Sequence, residues 1–481
     1  MSAPGGGAAV RCLGSTRPPT FPSPGAAPPP VRAGGAPCES EVPADATDAQ
    51  ERDSRARPAV LDGGHRRLRY GRRRRIRPAT ERRPQAAPQY DGPEDAFYAY
   101  PDQSVIAKAA PGEILRSQKV PAPPSSLLGS AASRAERIMY RTEDQRGRPV
   151  AATGFLVLPK TPPEGEDGWP VISWAHGTTG VGPACAPSRS ANLGGMTPFL
   201  TKWLREGYAV VAADYPGLGP DGKLHDYLHL DAQGSSVAHA ALAARNADRK
   251  SVGTKWFAAG ISQGGQAALG AGEQAAEAKG MRFLGTAAFA PGAHFPATLR
   301  KAVEQQASGV SLTGMRGLLA YIAVGAHTYD PENIAYEDIL SPALAEEMAR
   351  PAVHNLCLDE IDAYFALFAP EKEAKTVNPD WETRNPAVRK FLDAMNPAQR
   401  TSSGPVFVMQ GESDVVVTPD STRQLIAELC AKEDVVDWKW YPGVGHVDVA
   451  IAGLEDLGTW MKARLKNTQP TNRCQPAGPS K

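Results

Sequence analysis

Trp256-Phe257-Ala258-Ala259-Gly260-Ile261-Ser262-Gln263-Gly264 is an apolar run ending in a G-x-S-x-G, and an alanine-rich stretch from Gly264 to Lys279 follows it at once. The apolar run, Trp256 to Ala259, reads as a buried strand bounded by glycine, and the alanine-rich stretch reads as a helix. Reversing the chain between the two at a single residue requires a strained turn, and the flanking glycines leave room for it. A serine at the apex projects its oxygen above the end of a sheet, with the N–H groups of a helix N-terminus behind it. Ser262 is therefore the candidate nucleophile; the alternative is an ordinary glycine-rich turn.

The sequence on either side repeats the same alternation. Ala151 to Leu158, Val171 to Trp174, Tyr208 to Ala213, Leu284 to Ala290, Val406 to Gln410 and Val435 to Tyr441 read as further buried strands. Helical patterns lie between them at Thr197 to Glu206, Gly234 to Asn246, Thr418 to Cys430 and Leu454 to Lys466. Strand, helix, strand in this order predicts an α/β fold with a mostly parallel sheet and helices on both faces. Between Pro291 and Gly404 the strand signal lapses and helical patterns take over, which predicts a helical cap inserted over the carboxyl ends of the strands, where open α/β sheets bind ligands. The expected organisation is an arm over 1–88, a core over 89–292 and 404–474, and a helical cap over 293–403.

Composition sets limits on function. The chain has 481 residues, of which 41% are hydrophobic and 22% charged, values of a globular protein rather than a disordered, collagenous or coiled-coil one. The net charge of +1 conceals an asymmetry: residues 1–90 hold 16 arginines, no lysine and 8 acids, which leaves 91–481 acidic. An acidic body argues against nucleic-acid binding by the folded part. Residues 1–88, dense in Pro, Gly, Ala and Arg, cannot bury enough apolar surface to offset chain entropy and are expected to be disordered. Within this arm, Arg72 to Arg75 read as a solvated basic run, with a nucleic-acid or membrane-surface patch as the alternative; arginine without lysine is also what translation of GC-rich leader DNA gives. The charged, apolar and small-residue order of a signal peptide is not visible at the N-terminus. Of six cysteines, Cys185, Cys357, Cys430 and Cys474 lie in the body without a CxxC or Cys/His cluster; four cysteines allow three pairings, or four buried free thiols.

A serine hydroxyl needs a general base and an acid to orient it, in the chain order Ser, Asp or Glu, His for a nucleophile on such a turn. Gly411-Glu412-Ser413-Asp414 follows the strand Val406 to Gln410, and Gly443-Val444-Gly445-His446 follows the last strand. Asp414 is the candidate acid, with Glu412 and Asp448 as alternatives and a helix N-cap as its non-catalytic role. His446 is the candidate base. An oxyanion requires N–H donors from the residue after the nucleophile and from an early strand-to-helix loop. Gln263 supplies the first, and His176-Gly177-Thr178-Thr179-Gly180 offers Thr178, or Gly177 behind it, for the second. His176 is expected to hydrogen-bond beneath that loop. His225 and His229 have the spacing of metal ligands, yet no third ligand or glutamate base accompanies them, so a structural role is expected and neither metal nor cofactor is called for.

Trp174-Ala175-His176-Gly177-Thr178-Thr179-Gly180, Cys185-Ala186-Pro187-Ser188, Asp214-Tyr215-Pro216-Gly217-Leu218-Gly219, His225-Asp226-Tyr227-Leu228, Gly260-Ile261-Ser262-Gln263-Gly264-Gly265 and Ala290-Pro291-Gly292 occur in this order. Together they resemble the secretory lipase family of α/β-hydrolases, over roughly Asp95 to Cys474. A leading segment of that family's type is present in Phe97-Tyr98 and Pro111 to Leu115. The resemblance implies the α/β-hydrolase fold with a helical cap forming a hydrophobic acyl site, and a serine hydrolase of carboxylic esters, often acylglycerols. It also implies secretion or export to the periplasm, and disulfides joining Cys185 to Cys357 and Cys430 to Cys474. The arm has no counterpart in the family, and in some members an acid stands where Thr178 does.

The expected partner is a small-molecule or lipid ester, with transient lipid-surface contact by the cap; nothing in the sequence defines an oligomeric state. An acyltransferase or a peptidase would use the same three residues, because fold and triad fix neither acceptor nor leaving group. A catalytically inactive binding module is the reading from outside enzymology, and the intact Ser, Asp, His order stands against it.

Overall fold

The computed structural model describes residues 88–474, apart from 121–126, 166, 191–195 and 372–374. The expected N-terminal arm, with Cys12, Cys38 and Arg72 to Arg75, lies outside the described residues except for Pro88. Among the described residues the strands are β1 (Ile114–Lys119), β2 (Ala132–Glu143), β3 (Pro149–Pro159), β4 (Trp169–Ala175), β5 (Ala209–Ala213), β6 (Val252–Ile261), β7 (Arg282–Phe289), β8 (Val406–Gly411) and β9 (Val436–Tyr441). They form one sheet in the order β1-β2-β3-β5-β4-β6-β7-β8-β9. Pairing is antiparallel from β1 through β3 to β5 and parallel from β5 to β9.

Parallel strands are buried on both faces and so read as unbroken apolar runs; β5, Ala-Val-Val-Ala-Ala, has every residue buried. The pleat still sorts its side chains. Val171 and Val211 pack with Val237 and Ala244 of α2 (Leu230–Ala247) and Ala267 of α3 (Gln263–Glu273). Their neighbours Ile172 and Val210 pack on the opposite face with Leu200 and Trp203 of α1 (Thr197–Arg205) and Met461 of α9 (Leu454–Leu465). The mostly parallel sheet with helices on both faces expected from the alternation of apolar runs is thus observed, and it agrees with the α/β-hydrolase fold that the resemblance implies.

Two strands escape the apolar pattern. β2, Ala-Ser-Arg-Ala-Glu-Arg-Ile-Met-Tyr-Arg-Thr-Glu, carries charges that its surroundings neutralise: Arg134 pairs with the buried Glu136 at 2.7 Å, Arg137 with Glu94 at 2.8 Å and Arg141 with Glu143 at 2.9 Å. Its hairpin to β3 is set by Asp144, whose Oδ1 accepts from the N–H groups of Arg146 and Arg148, both at 2.9 Å. β1 pairs with β2, and a single bridge joins its Ser117 to Gln89. The helix expected over Gly264 to Lys279 ends earlier, at Glu273, and a short 3₁₀ turn over Ala275–Glu277 replaces its last part.

Between β7 and β8 lie α4 (Phe295–Ala307), α5 (Arg316–Tyr329), α6 (Leu358–Phe368) and α7 (Pro386–Ala394), with shorter helical turns. They share a core of their own, in which Leu319, Ile322, Ile361, Phe365 and Phe391 pack together and reach Tyr227 and Leu228 of the loop before α2. A disulfide between Cys185 and Cys357, with Cα atoms 5.4 Å apart, ties this helical segment to the loop after β4. A second joins Cys430, in α8 (Pro419–Ala431), to Cys474 at 5.3 Å between Cα atoms. Both pairings are those the family resemblance implies.

The Cys430–Cys474 bond spans 44 positions, for which chain entropy gives about 4 kcal/mol as an upper value. Cys430→Ser with Cys474→Ser should lower the urea midpoint and steepen its slope, because the unfolded chain without the cross-link exposes more surface, and non-reducing peptide mapping of the native protein should recover both cross-links. An unchanged midpoint would remove this bond from the stability account.

Where the helical segment returns towards β8, the N–H groups of Gln399 and Arg400 each donate to Glu273 at the end of α3, both at 3.2 Å. Burial pushes the Glu273 carboxyl from 4.5 up to about 7, with the Arg400 guanidinium opposing the shift. The folded protein therefore holds a proton that the unfolded chain has released. This group's contribution to stability is full below about pH 4.5 and is lost as pH rises to about 7, a change of about 3 kcal/mol. Relative to Glu273→Gln, the wild type should lose stability across that window in urea titrations; parallel curves would show that Glu273 does not titrate there.

Candidate active site

β6 ends at Ile261 and α3 begins at Gln263, so Ser262 alone makes the reversal, with φ 59° and ψ −121°. That conformation is strained for a residue with a Cβ. Three backbone bonds hold it: Ser262 N–H donates to Phe289 O at 2.9 Å, and Ser262 O accepts from the N–H groups of Gln266 at 3.1 Å and Gly292 at 3.0 Å. Glycine at 264 is a condition of the turn, because a Cβ there would lie 2.0 Å from Ala175 O. The α3 N-terminus is thereby pressed against the end of β4, where the His176 to Gly180 loop starts. Gly177 passes beside the serine: a Cβ at Gly177 would lie 3.8 Å from Ser262 Cβ.

Buried polar groups beneath the loop explain several of the motifs. Asp214 is fully buried and accepts from Ser188 N–H at 3.0 Å, Thr153 Oγ1 at 2.7 Å and Ser188 Oγ; burial pushes its carboxyl above the usual range. Tyr215 donates from its hydroxyl to His176 O at 2.9 Å. The His176 ring nitrogens lie 2.6 Å from Gly177 O and 3.3 Å from Asp214 O, and burial holds its pKa below the usual histidine range. His176 is thus a support under the loop. His225 and His229 also meet backbone carbonyls, those of Pro216 and Gly325, both at 2.8 Å.

The acid turn and the histidine loop form a second, interlocked unit. Glu412 N–H donates to Tyr441 O and Ser413 N–H to Val444 O, both at 3.0 Å. This crossing requires glycine at 411, where a Cβ would lie 2.3 Å from Val444 O. His446 Nδ1 lies 2.7 Å from Asp414 Oδ2. The same carboxylate accepts from Gln410 Nε2 at 3.1 Å and from the N–H groups of Val416 and Val417 at 2.8 and 2.9 Å, so every lone-pair direction of this buried group is engaged. A carboxylate so held keeps the imidazole in one tautomer, with its proton on Nδ1 and Nε2 free to accept. Glu412 and Asp448 are exposed, and Thr418 rather than Asp414 caps α8, accepting from Ser421 N–H at 3.4 Å.

Ser262, Gln263 and Thr178 open into one cavity of about 470 Å³. Its apolar walls are Phe295, Leu312, Met315, Leu319 and Ile322 of the helical segment and Val415 to Val417 beside Asp414, and Lys301, Gln305, Thr313, Asp420 and Gln424 add polar groups to the lining. These wall residues carry no motif in the sequence; for Leu319 and Ile322 the helical period of α5 was the only signal. A further cavity of about 430 Å³, lined by Tyr100, Asp226 and His229, does not include the serine.

A family profile described as secretory lipase matches residues 190–473, more than half of the chain. A secreted triacylglycerol lipase of Malassezia globosa is 24% identical over 403 residues, covering 79% of this chain and 81% of that protein. Among solved structures, Candida antarctica lipase A superposes with a TM-score of 0.62 at 18% identity, covering 79% of this chain and 88% of that one. The rice cell wall degrading esterase LipA of Xanthomonas oryzae gives 0.59 at 20% identity over 75% of this chain and all of that one. No helix among the described residues is long and apolar enough to cross a membrane, and the two disulfides are the chemistry of an oxidising compartment. The chain belongs to the secretory lipase family and is an exported carboxylic ester hydrolase.

Proposed function

We propose that Ser262, His446 and Asp414 are the catalytic triad, with the N–H groups of Gln263 and Thr178, and Gly177 behind the latter, forming the oxyanion hole. The observation that carries this reading is the strained Ser262 turn, which opens into a cavity shared with Thr178 and walled by the residues that follow Asp414. Ser262 Oγ attacks the ester carbonyl while its proton passes to His446 Nε2. The negative charge that develops on the carbonyl oxygen is met by the two N–H donors. Collapse expels the alcohol, which takes the proton from His446, and water then repeats the sequence to release the acid. Asp414 stays ionised and stabilises the imidazolium in each half.

The helical segment, 293–403, acts as the cap of the acyl site. Its support is the apolar wall it gives the cavity, which suits acylglycerols or other esters of apolar acids. Val310, Leu367 and Phe368 of the same segment are exposed, which suits transient contact with a lipid surface. A chain-length series of p-nitrophenyl esters tests the acyl assignment: kcat/KM should rise with chain length over the short members, and a steady fall from acetate onward would replace an apolar acyl site with a small one.

Ser262→Ala should lower kcat by about 10⁴-fold or more and abolish labelling by a fluorophosphonate. Equal labelling of variant and wild type would sink the nucleophile assignment. Asp414→Asn should cost about 10³- to 10⁴-fold in kcat and Glu412→Gln little, because only Asp414 meets His446 Nδ1. The reverse ranking would move the acid to Glu412.

A further inference from the structure

The two proposed oxyanion donors belong to different elements, Thr178 to the loop after β4 and Gln263 to the start of α3. A tetrahedral oxyanion needs both N–H groups about 3 Å away, and a site loosens when its supports leave even about 0.5 Å of freedom. The side chains of these two residues bond to one short segment. Gln263 Nε2 lies 2.7 Å from His225 Nε2, and Thr178 Oγ1 lies 2.8 Å from Tyr227 OH.

The chemistry of the first contact is fixed by its surroundings. Pro216 O, 2.8 Å from His225 Nδ1, can only accept, so Nδ1 carries the proton and Nε2 offers a lone pair to the Gln263 amide. That amide nitrogen also donates to Gln233 Oε1 at 3.3 Å. Burial pushes His225 down to about 3 and Tyr227 up to about 12, so both rings stay neutral through the working range of an esterase.

The segment is itself immobilised. His225 N–H donates to Val181 O at 2.8 Å, and Leu228 stands in the left-handed region at φ 63°. Leu228 O accepts from Gln266 Nε2 at 2.9 Å, which ties the segment to α3 one turn beyond Gln263. His225 is fully buried and Tyr227 nearly so.

We propose that His225 and Tyr227 are positioning residues that clamp the two halves of the oxyanion hole to each other through the side chains of Gln263 and Thr178. The proposal rests on the assignment of Gln263 and Thr178 as donors. A clamp of this kind acts where charge develops, so it governs the chemical step and leaves ground-state binding alone.

Tyr227→Phe removes one hydroxyl and keeps the ring. It should lower kcat about 10- to 100-fold with KM within about twofold, and weaken inhibition by an alkyl boronic acid, a tetrahedral mimic, by a similar factor. Thr178→Val should do the same, Thr178→Ser should restore most of the activity, and Tyr227→Phe with Thr178→Val should lose no more than either alone. On the other side, His225→Leu should reproduce the kcat loss, and His225→Gln, whose amide oxygen can accept from Gln263, should recover part of it. Multiplicative losses in the double variant, a change in KM alone, or wild-type kcat in Tyr227→Phe would each overturn the clamp. If instead Ser262→Ala keeps its activity, the underlying site assignment fails, and that outcome is separate from these.

Discussion

The approach of α3 to the end of β4 is the constraint on which the rest of the site depends. Gly264 brings the helix backbone so near Ala175 O that no side chain fits between them. With helix and strand in contact there, the chain has one residue in which to turn, and that residue is the strained Ser262. The same contact points the free N–H groups of the helix N-terminus over the sheet edge and brings the loop after β4 to their side. Strain at one residue is tolerable because three backbone hydrogen bonds and two neighbouring strands over-determine it.

Around this point the protein uses two different means of holding polar groups. Beneath the loop, Asp214, Ser188 and Thr153 are buried and hydrogen-bonded to one another, with Tyr98 joining at Ser188 Oγ and the His176 ring meeting the carbonyls of Gly177 and Asp214, so they build shape. At the far edge of the site, Asp414 is equally buried, but one of its partners is a histidine that is partly open to solvent. A network closed on itself makes a scaffold; one with an open member can exchange a proton with what enters the cavity.

How much of this was legible in the sequence follows from the range of the interactions. The turns that carry the candidates Ser262, Asp414 and His446 were readable because their residue types are dictated locally, by glycine at 260, 264, 411 and 445 beside apolar runs. The central strands were readable because burial on both faces leaves them unbrokenly apolar. β2 was not, because Glu136 and Arg141 are neutralised by partners on the same strand and look like a solvated segment when pattern alone is used. The cavity walls from α4, α5 and the turn between them were not legible either. Phe295, Leu312 and Met315 look the same in sequence whether they face a packed core or an acyl chain, and only the path of the helical segment separates the two. The cysteine pairing could not be had from spacing; the family resemblance supplied it, and the structure contains both bonds.

The bond between Cys185 and Cys357 has a mechanical meaning. Cys357 is the N-cap of α6, and the next residue, Leu358, donates its N–H to Thr179 O at 2.8 Å, one position from Thr178. The helical segment is therefore riveted to the protein beside Thr178, the proposed oxyanion donor, at a point fixed by 5.4 Å between Cα atoms. About such a rivet a roof can swing but cannot lift away. Any movement of the segment would be smallest over the loop of Thr178 and larger at positions farther from the bond. In the proposed hydrolysis, movement that admits a bulky acid would thereby be kept apart from the few ångströms in which geometry has to stay constant.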